Sequence, residues 1–226
     1  MYEDEKPSFA HLILTSTKYS MFNFMVSIIL LLILQAVLEG TKYGYIVLNL
    51  LSTVVLILGV HAVGSSKKRL IILILLGLPW FISEWTFTRS NRTIFVSMLF
   101  FMFVTVTILE HILRSKDVTA DTLYGAVCVY LLLGIMWASI YGVIEFLTPG
   151  SIFIGREGEM QAPLSSNVLI YYSFTTLTTL GYGDISSITP QARIISVLEA
   201  ITGQMFIAFL VARLISTYTA KALREH

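Results

Sequence analysis

Charged residues are scarce in this chain: Asp, Glu, Lys and Arg make up 13% of its 226 residues, whereas 56% are hydrophobic. Soluble domains usually contain about 25% charged residues, so we expect an integral membrane protein embedded in the lipid bilayer. The formal net charge is only +1 at pH 7, and the sequence has no basic patch. Both observations argue against a nucleic-acid partner.

Cysteine and the common catalytic motifs are also rare or missing. Cys128 is the one cysteine, so an intrachain disulfide is excluded, and within its apolar run we interpret it as a small buried hydrophobic residue. The sequence contains no Gly-x-Ser-x-Gly, no His-Glu-x-x-His and no histidine pair at metal-ligand spacing. These absences argue against an enzyme, and we expect no soluble substrate and no cofactor.

Long hydrophobic runs, by contrast, are frequent. A run of about 20 apolar residues is long enough to cross the hydrocarbon core of a bilayer as a helix. We therefore predict an all-α membrane protein with six transmembrane helices. The predicted spans are residues 19–38, 45–63, 70–85, 93–113, 122–146 and 193–218.

A shorter apolar segment, residues 167–177, precedes the last span. Its length of roughly 16 Å as a helix is about half the thickness of the hydrocarbon core, so it cannot cross the membrane. The polar, glycine-rich sequence 178–184 follows it directly. Non-helical backbone occurs at membrane depth only where it faces protein or a water-filled cavity. We therefore predict a re-entrant pore helix and loop that line such a cavity.

The sequence Thr179-Leu180-Gly181-Tyr182-Gly183 resembles the Thr-Val-Gly-Tyr-Gly selectivity filter of tetrameric potassium channels, with Leu180 in place of valine. The resemblance implies a potassium-selective channel in which carbonyl oxygens replace the hydration shell of K⁺, the permeant ligand. The implied K⁺ ligands are Thr179, Leu180, Gly181 and Tyr182. One loop supplies a quarter of such a filter, so we expect identical subunits in a homotetramer, or a heterotetramer with similar chains.

Residue types within and behind this loop fit that role. Carbonyl groups that all point inward require alternating backbone twists, and Gly181 and Gly183 reach positive φ at little steric cost. By resemblance, Tyr182 points away from the ion, and Asp184 bonds to aromatic side chains behind the filter. The other supporting residues that the resemblance implies are Thr178, Tyr171 and Tyr172.

The last span is predicted to line the cavity and gate below the filter. From Gln204, helical spacing places Ile207, Val211 and Ile215 on one stripe, although an apolar stripe is equally expected for packing between helices. Gly203 corresponds either to the hinge glycine of the family or to a close contact between helices. The polar side chain of Gln204 is expected to seek water or a partner helix.

The distribution of positive charge predicts the orientation. Six spans place both termini on one side of the membrane, and ten of the 15 Lys and Arg residues fall on that side. Cytoplasmic loops carry an excess of positive charge. We therefore expect a multi-pass protein of the plasma membrane, the cell inner membrane, with both termini in the cytoplasm.

The spans and the loop divide the chain into five parts. We predict a cytoplasmic lead at 1–18, a four-helix transmembrane domain at 19–113, a cytoplasmic link at 114–121, a pore domain at 122–218 and a cytoplasmic tail at 219–226. Within the pore domain, the predictions are an outer helix at 122–146, a pore helix at 167–178, the filter at 179–183 and an inner helix at 193–218.

The fourth predicted span departs from the pattern of voltage-gated relatives. Arg89 and Arg92 have the spacing of a voltage-sensing arginine ladder, but the following ladder positions are apolar. Because the membrane field acts on charges inside the span, we expect opening to depend only weakly on voltage. The apolar ladder positions are Phe95, Met98, Phe101 and Val104.

Several alternatives stay open at this point. A non-selective cation channel is one, because Leu180 departs from the family pattern, although Tyr182 argues against it; a non-conducting membrane scaffold is another. Glu110 and Glu145 are candidates for pH or ion sensitivity, or are carboxylates that reach the headgroup layer from helix ends. The gating stimulus and the packing of the front helices, on their own pore domain or on a neighbour's, are not determined by the sequence.

Overall fold

The computed structural model of the chain consists mainly of helices. It describes residues 20–38, 41, 43–63, 71, 74–79, 81–82, 91–114, 119–155 and 164–222. The predicted lead at 1–18 and Arg89 lie outside these residues, as do parts of the link at 114–121, of the third predicted span at 70–85 and of the tail at 219–226.

Six helices and two short strands are defined within the described residues. The helices are α1 (Ser20–Leu38), α2 (Gly44–Val63), α3 (Asn91–Arg114), α4 (Ala120–Leu147), α5 (Ser166–Leu177) and α6 (Pro190–Ala222). The strands are β1 (Ile152–Ile154), between α4 and α5, and β2 (Ile185–Ser187), between α5 and α6. Residues 74–79, inside the third predicted span, are also helical.

Four of these helices are long and apolar enough to cross a membrane. Their apolar stretches are Ser20–Leu38, Phe95–Arg114, Ala120–Leu147 and Pro190–Arg213. Helix α2 contributes a shorter apolar stretch, Ile46–Gly59. The chain is thus a mostly helical membrane protein with several spans.

The start of α4 differs from its prediction because of its cap. The helix begins at Ala120 rather than at residue 122, since Thr119 Oγ1 accepts a hydrogen bond from the backbone N–H of Thr122 in a capping box. The next residue, Asp121, accepts a hydrogen bond from the backbone N–H of Met21 in α1, with 3.3 Å between N and Oδ1. The beginnings of α1 and α4 therefore lie side by side.

Cap chemistry also moves the starts of α5 and α6. Helix α5 begins at residue 166 rather than 167, because Ser165 Oγ accepts a hydrogen bond from the backbone N–H of Val168. Helix α6 begins at Pro190 rather than at residue 193, since proline fits the first helical position, where a backbone N–H has no partner to lose. The carboxyl ends differ too: α4 ends at Leu147, α5 at Leu177 and α6 at Ala222 rather than at residues 146, 178 and 218.

The apolar core joins the front helices to the pore domain. Helix α4 lies at its centre and packs against α1 and α3. Cys128 is fully buried in this core and is a free thiol, as predicted. The other buried core residues are Met21, Phe24, Ile28, Val55, Phe100, Phe101, Val104, Ile108, Ile112, Ala126, Val129, Leu132, Leu133, Ile135 and Leu177.

Helix α1 contacts the pore domain of its own chain at both ends. Its beginning bonds to Asp121, as described above. Near its end, the backbone carbonyl oxygen of Gln35 accepts a hydrogen bond from Asn167 Nδ2, at 3.2 Å, in the first turn of α5. Within one chain, the front helices α1 and α3 therefore pack against α4 of the same chain, and α1 also bonds to the pore helix.

A two-stranded ribbon is the one element here that the sequence analysis did not predict. Strands β1 and β2 are antiparallel, with Ile152 opposite Ser187 and Ile154 opposite Ile185. The ribbon ties the loop that follows α4 to the segment that leaves the predicted filter. The backbone N–H of Gly155 extends this tie by donating to the carbonyl oxygen of Asp184, with 2.7 Å between the two atoms.

Candidate functional site

Helix α5 positions the predicted filter. It has 12 residues, about 18 Å at 1.5 Å per residue, and lies between the spanning helices α4 and α6. Tyr172, Ser173 and Leu177 form its buried face. Its carboxyl end, where the helix dipole is negative, leads directly into residues 179–183. A helix of this length is too short to cross the hydrocarbon core of a bilayer.

The backbone of the loop alternates in handedness. Thr179, Gly181 and Gly183 have positive φ angles of 58°, 53° and 79°. The two glycines have the conformation that the sequence predicts, at little steric cost. Thr179 is a β-branched residue, for which positive φ is strained, and such strain concentrates at functional sites. Alternation of this kind is the backbone geometry that a loop with carbonyl groups pointing to one side requires.

Hydrogen bonds to the end of α5 hold this loop. The backbone N–H of Gly181 donates to the carbonyl oxygen of Thr175, at 3.1 Å, and that of Thr179 donates to Thr176, at 2.9 Å. Thr178 Oγ1 donates to the carbonyl oxygen of Phe174, at 2.6 Å. These bonds use carbonyl groups of the last helical turn, which lack an i+4 partner in a regular helix or share it with the loop. Any displacement of α5 is therefore passed directly to the loop.

The outer end of the loop is braced from behind. Tyr171 Oη donates a hydrogen bond to Asp184 Oδ2, at 2.8 Å, so the structure brings together the aromatic residue and the aspartate that the sequence pairs. Asp184 Oδ1 also accepts from the backbone N–H of Ile185, at 3.1 Å. The side chains of Leu180 and Tyr182 are 54% and 68% exposed in the single chain. The chain itself leaves these two residues uncovered.

The inner helix approaches the loop from below. Gln204 Nε2 donates a hydrogen bond to Thr179 Oγ1, with 3.2 Å between the two atoms. A Cβ atom added at Gly203 would overlap the backbone carbonyl oxygen of Leu177. Gly203 thus occupies a close contact between α6 and the end of α5, which is one of its two predicted roles.

The predicted cavity stripe on α6 is exposed in the single chain. Ile207, Val211 and Ile215 are 43%, 48% and 61% exposed. They share a helix face with Gln204 by their spacing of three or four residues. The structure therefore places the stripe below the loop and on the same helix surface as the side chain that reaches Thr179.

The sequence analysis missed a buried carboxylate in α6. Glu199 has no exposed surface. Its Oε2 accepts a hydrogen bond from Tyr141 Oη of α4 and its Oε1 accepts one from Ser173 Oγ of α5, both at 2.5 Å. An ionisable residue inside a predicted span is a functional candidate by default, so its position within residues 193–218 was a signal that could have found it.

A glycine of α4 was also missed. A Cβ atom at Gly134 would lie 2.5 to 2.8 Å from three ring carbons of Phe174, which is far inside van der Waals contact. The backbone of α4 thus lies directly on the aromatic ring of the pore helix. Small residues commonly permit this kind of close helix approach inside membranes.

The two carboxylates singled out by sequence have different surroundings. Glu145 is buried at the end of α4, where Oε1 accepts from the backbone N–H of Gly150, at 2.6 Å, and Oε2 from Ile152, at 3.2 Å. Glu110 is exposed and pairs with Arg114, at 2.6 Å, one turn along α3. Glu145 therefore orders the loop after α4, whereas Glu110 belongs to a surface ion pair.

The polar groups of the loop are mainly backbone and hydroxyl oxygens. Within the described residues, no group of three or more His, Cys, Asp and Glu side chains is placed to hold a metal ion. The loop instead presents carbonyl groups and the hydroxyl of Thr179. Such oxygens suit the weakly held monovalent cations that pass through a pore.

Comparisons with known proteins agree with a pore. Residues 143–220, which include α5, the loop and most of α6, match the model of a family described as an ion channel. A stretch of 88 residues is 31% identical to an uncharacterized protein of Methanothermus fervidus and covers 39% of this chain and 12% of that protein. The chain thus spans only a small part of that relative's length. Together with its spanning helices, the match supports a multi-pass membrane protein with an ion-channel region, a transport protein rather than an enzyme.

Proposed function

We propose that this chain is one subunit of a potassium-selective channel. The backbone carbonyl groups of residues 179–182 and the hydroxyl of Thr179 would replace the hydration shell of K⁺ as it crosses the membrane. The observation that carries the proposal is the alternation of left-handed residues at Thr179, Gly181 and Gly183. An ordinary turn contains one or two such residues, whereas three at a period of two support a filter-like loop whose carbonyl groups would point to one side.

Conduction by this loop requires four copies. One loop presents a single column of oxygens, and a cation needs oxygens on all sides. Leu180, Tyr182 and much of α6 are uncovered in the single chain, which supports contact with further subunits. A closed ring of four identical subunits places the loops around a shared axis. The homotetramer is therefore part of the proposal.

The proposed membrane topology has six spans, with both termini in the cytoplasm of a plasma-membrane protein. The contacts of α1 support this arrangement. Its beginning lies beside Asp121, which is expected on the cytoplasmic side, and its end lies beside Asn167, which is expected on the outer side. The third predicted span, residues 70–85, would be the sixth transmembrane helix beside α1, α2, α3, α4 and α6.

We infer weak voltage dependence from α3. The ladder positions after Arg92 are apolar, and of these Phe101 and Val104 are buried in the core shared with α4. One charge that crosses the field contributes about 2.3 kcal/mol per 100 mV. Because these positions carry no charge, the conductance should change gradually with voltage, and a steep sigmoidal conductance–voltage curve would contradict this inference.

The first experiment measures K⁺ uptake into liposomes that contain the purified protein. Gly181→Ala is the test variant, because alanine in the left-handed conformation costs about 1–2 kcal/mol per residue. The strain occurs in all four loops, so we expect selective uptake to fall at least about tenfold. Gly125→Ala is the matched control: the added methyl group would meet side-chain atoms and no backbone, namely Ile112 Cδ1 and Cγ1 at 3.3 and 3.4 Å and Met21 Sδ at 3.7 Å.

The ion selectivity of the current separates the proposal from its rival. In mixed potassium and sodium solutions, the proposed channel reverses near the potassium equilibrium potential. A reversal potential near zero would instead favour a non-selective cation channel. The sequence leaves this alternative open because Leu180 stands where the family pattern has valine. No uptake by the wild-type protein, or a protein that is monomeric in lipid, would contradict the channel proposal itself.

A further inference from the structure

Glu199 joins three helices of the pore domain. The residue is on α6, Tyr141 is on α4 and Ser173 is on α5, and all three side chains are fully buried. The carboxyl group lies 2.5 Å from both hydroxyl groups, one at each oxygen. A single carboxyl group thus connects the inner helix to the outer helix and to the pore helix.

Further hydroxyl groups extend this connection. Ser196, one turn before Glu199, lies 2.7 Å from Tyr172 Oη and 3.3 Å from Tyr141 Oη. Ser173 Oγ also lies 2.7 Å from the backbone carbonyl oxygen of Gly134. The result is a polar cluster of Tyr141, Tyr172, Ser173, Ser196 and Glu199 behind the pore helix, which we call the pore-helix cluster.

The pore-helix cluster joins the helices at a higher cost in free energy than apolar packing does. Burying an ionisable group inside a membrane costs several kcal/mol more than burying an apolar side chain. Among the described residues, Glu199 bonds to two hydroxyl groups, and no positively charged side chain pairs with it. Small apolar residues pack membrane helices without this cost. A carboxylate at this point therefore indicates a requirement for directional bonds.

The direction of these bonds matters because α5 carries the loop. Ser173 lies one turn before Leu177, and Thr175 and Thr176 anchor the backbone of Gly181 and Thr179. Each hydrogen bond restricts the rotation and sliding of α5 more tightly than apolar contact does. An ion-selecting loop depends on spacing between oxygen rings, so its supporting helix must be held in place.

We propose that Glu199 is a positioning residue for ion selection: its carboxyl group holds α5 against α4 and α6 and so sets the spacing of the carbonyl rings. The inference rests on the proposed potassium channel and adds a residue that acts through the pore helix without touching the ion. A residue with a purely structural role would affect only folding and assembly. Loss of the hydrogen bonds of Glu199 should also alter which ion passes, even in channels that still assemble.

The test measures the permeability ratio of potassium to sodium in reconstituted channels, from reversal potentials with K⁺ on one side and Na⁺ on the other. The variants are Glu199→Ala, Glu199→Gln, Tyr141→Phe and Ser173→Ala. We expect Glu199→Ala to lower the ratio at least about tenfold, which corresponds to about 1.4 kcal/mol. Tyr141→Phe and Ser173→Ala, which each remove one hydroxyl group, should lower it less. Glu199→Gln keeps the shape and one acceptor oxygen, so it should restore part of the ratio.

Two matched controls make the same chemical changes outside the pore-helix cluster. Glu145→Gln alters the other buried carboxylate of the pore domain, whose partners are backbone N–H groups of the loop after α4. Ser139→Ala removes a hydroxyl group of α4 that bonds only to Ile135 in its own helix. Both controls should keep the permeability ratio of the wild-type protein.

The outcomes distinguish the inference from the function on which it rests. A wild-type protein without potassium selectivity overturns the proposed function. A selective wild-type protein whose four cluster variants keep its ratio overturns the inference alone. If Glu199→Ala fails to assemble as judged by size-exclusion chromatography, Tyr141→Phe and Ser173→Ala decide: a lowered ratio supports the inference and an unchanged ratio overturns it. A control variant that loses as much selectivity as Glu199→Gln also overturns it.

Discussion

The outer helix α4 and the inner helix α6 have similar composition but very different surroundings. Both are long and apolar enough to span a membrane, yet 56% of the most apolar stretch of α4 is buried within the chain, compared with 11% for α6. Helix α4 packs against α1, α3, α5 and α6. Helix α6 contacts its own chain mainly along α4, α5 and β2. Two helices of similar hydrophobicity thus lie in different surroundings: α4 is largely inside the chain, whereas α6 is largely exposed in the single chain.

The narrow buried stripe of α6 explains this difference. Its buried residues, Ala192, Glu199 and Gly203, recur at helical spacing and are joined by the half-buried Ser196. Two of the four are polar and two are small, and Ser196, Glu199 and Gly203 face the pore helix or α4 through the contacts described above. Many of the remaining large side chains, such as Ile201 and Met205, are exposed in the single chain, whereas Phe206 and Leu210 are half-buried against the core. The proposed tetramer supplies the surroundings that the single chain does not.

The largest effect should come from the buried face of α4. Leu132→Ala removes a side chain at the centre of the core and should lower the free energy of unfolding by about 2–5 kcal/mol. Met205→Ala on α6 removes a side chain that is 64% exposed, and its effect on the dissociated subunit should be within about 0.5 kcal/mol. Unfolding of dissociated subunits in mixed micelles measures both. Equal losses would mean that α6 is not uncovered in the single chain.

A smaller effect is expected where α6 touches the pore helix. Gly203→Ala places a methyl group on the carbonyl oxygen of Leu177, so α5 and α6 must separate, at a cost of about 1–3 kcal/mol. The melting temperature and the permeability ratio should both fall, while Gly125→Ala in α4 changes little. A variant with wild-type stability but altered opening would instead favour the hinge role of Gly203.

The smallest effect concerns the bond between α6 and the loop. Gln204→Ala removes the hydrogen bond to Thr179 Oγ1, which is worth about 0.5–1.5 kcal/mol. Single-channel conductance should change modestly, whereas assembly should not. Thr202→Ala is the control, because its hydroxyl group bonds only to Leu198 in the same helix. An identical conductance for both variants would show that this contact does not influence the ion path.

Much of the fold could be predicted from the length and spacing of apolar runs. The spans around α1, α3, α4 and α6 and the half-length α5 follow from the periodicity and length that a bilayer imposes. Exact boundaries could not be predicted, because Thr119 and Ser165 become caps, and Pro190 the first residue of a helix, only in particular backbone conformations. The ribbon could not either, since three-residue strands carry no usable pattern and pair only after α4 and the loop are brought together.

The candidate site residues also fall into two groups, those that the local sequence could predict and those that it could not. The positive φ of Gly181 and Gly183 and the bond from Tyr171 to Asp184 involve residues close together in the chain, so the local sequence was enough to expect them. Glu199 finds its partners 58 and 26 residues away, on two other helices. Its partners depend on how far each helix is rotated about its axis, which hydrophobic patterning alone does not determine.

The amino-acid sequence by itself determined that this chain enters a membrane as helices and that a loop with glycines at positive φ follows the half-length helix α5. Both properties arise from hydrophobic length and from the conformational freedom of single residues, which are local quantities. Only the tertiary structure decided that a carboxyl group would stand behind that loop and that α6 would be left uncovered. Those features depend on contacts between distant segments, because side chains far apart in the chain meet only once all the helices have packed.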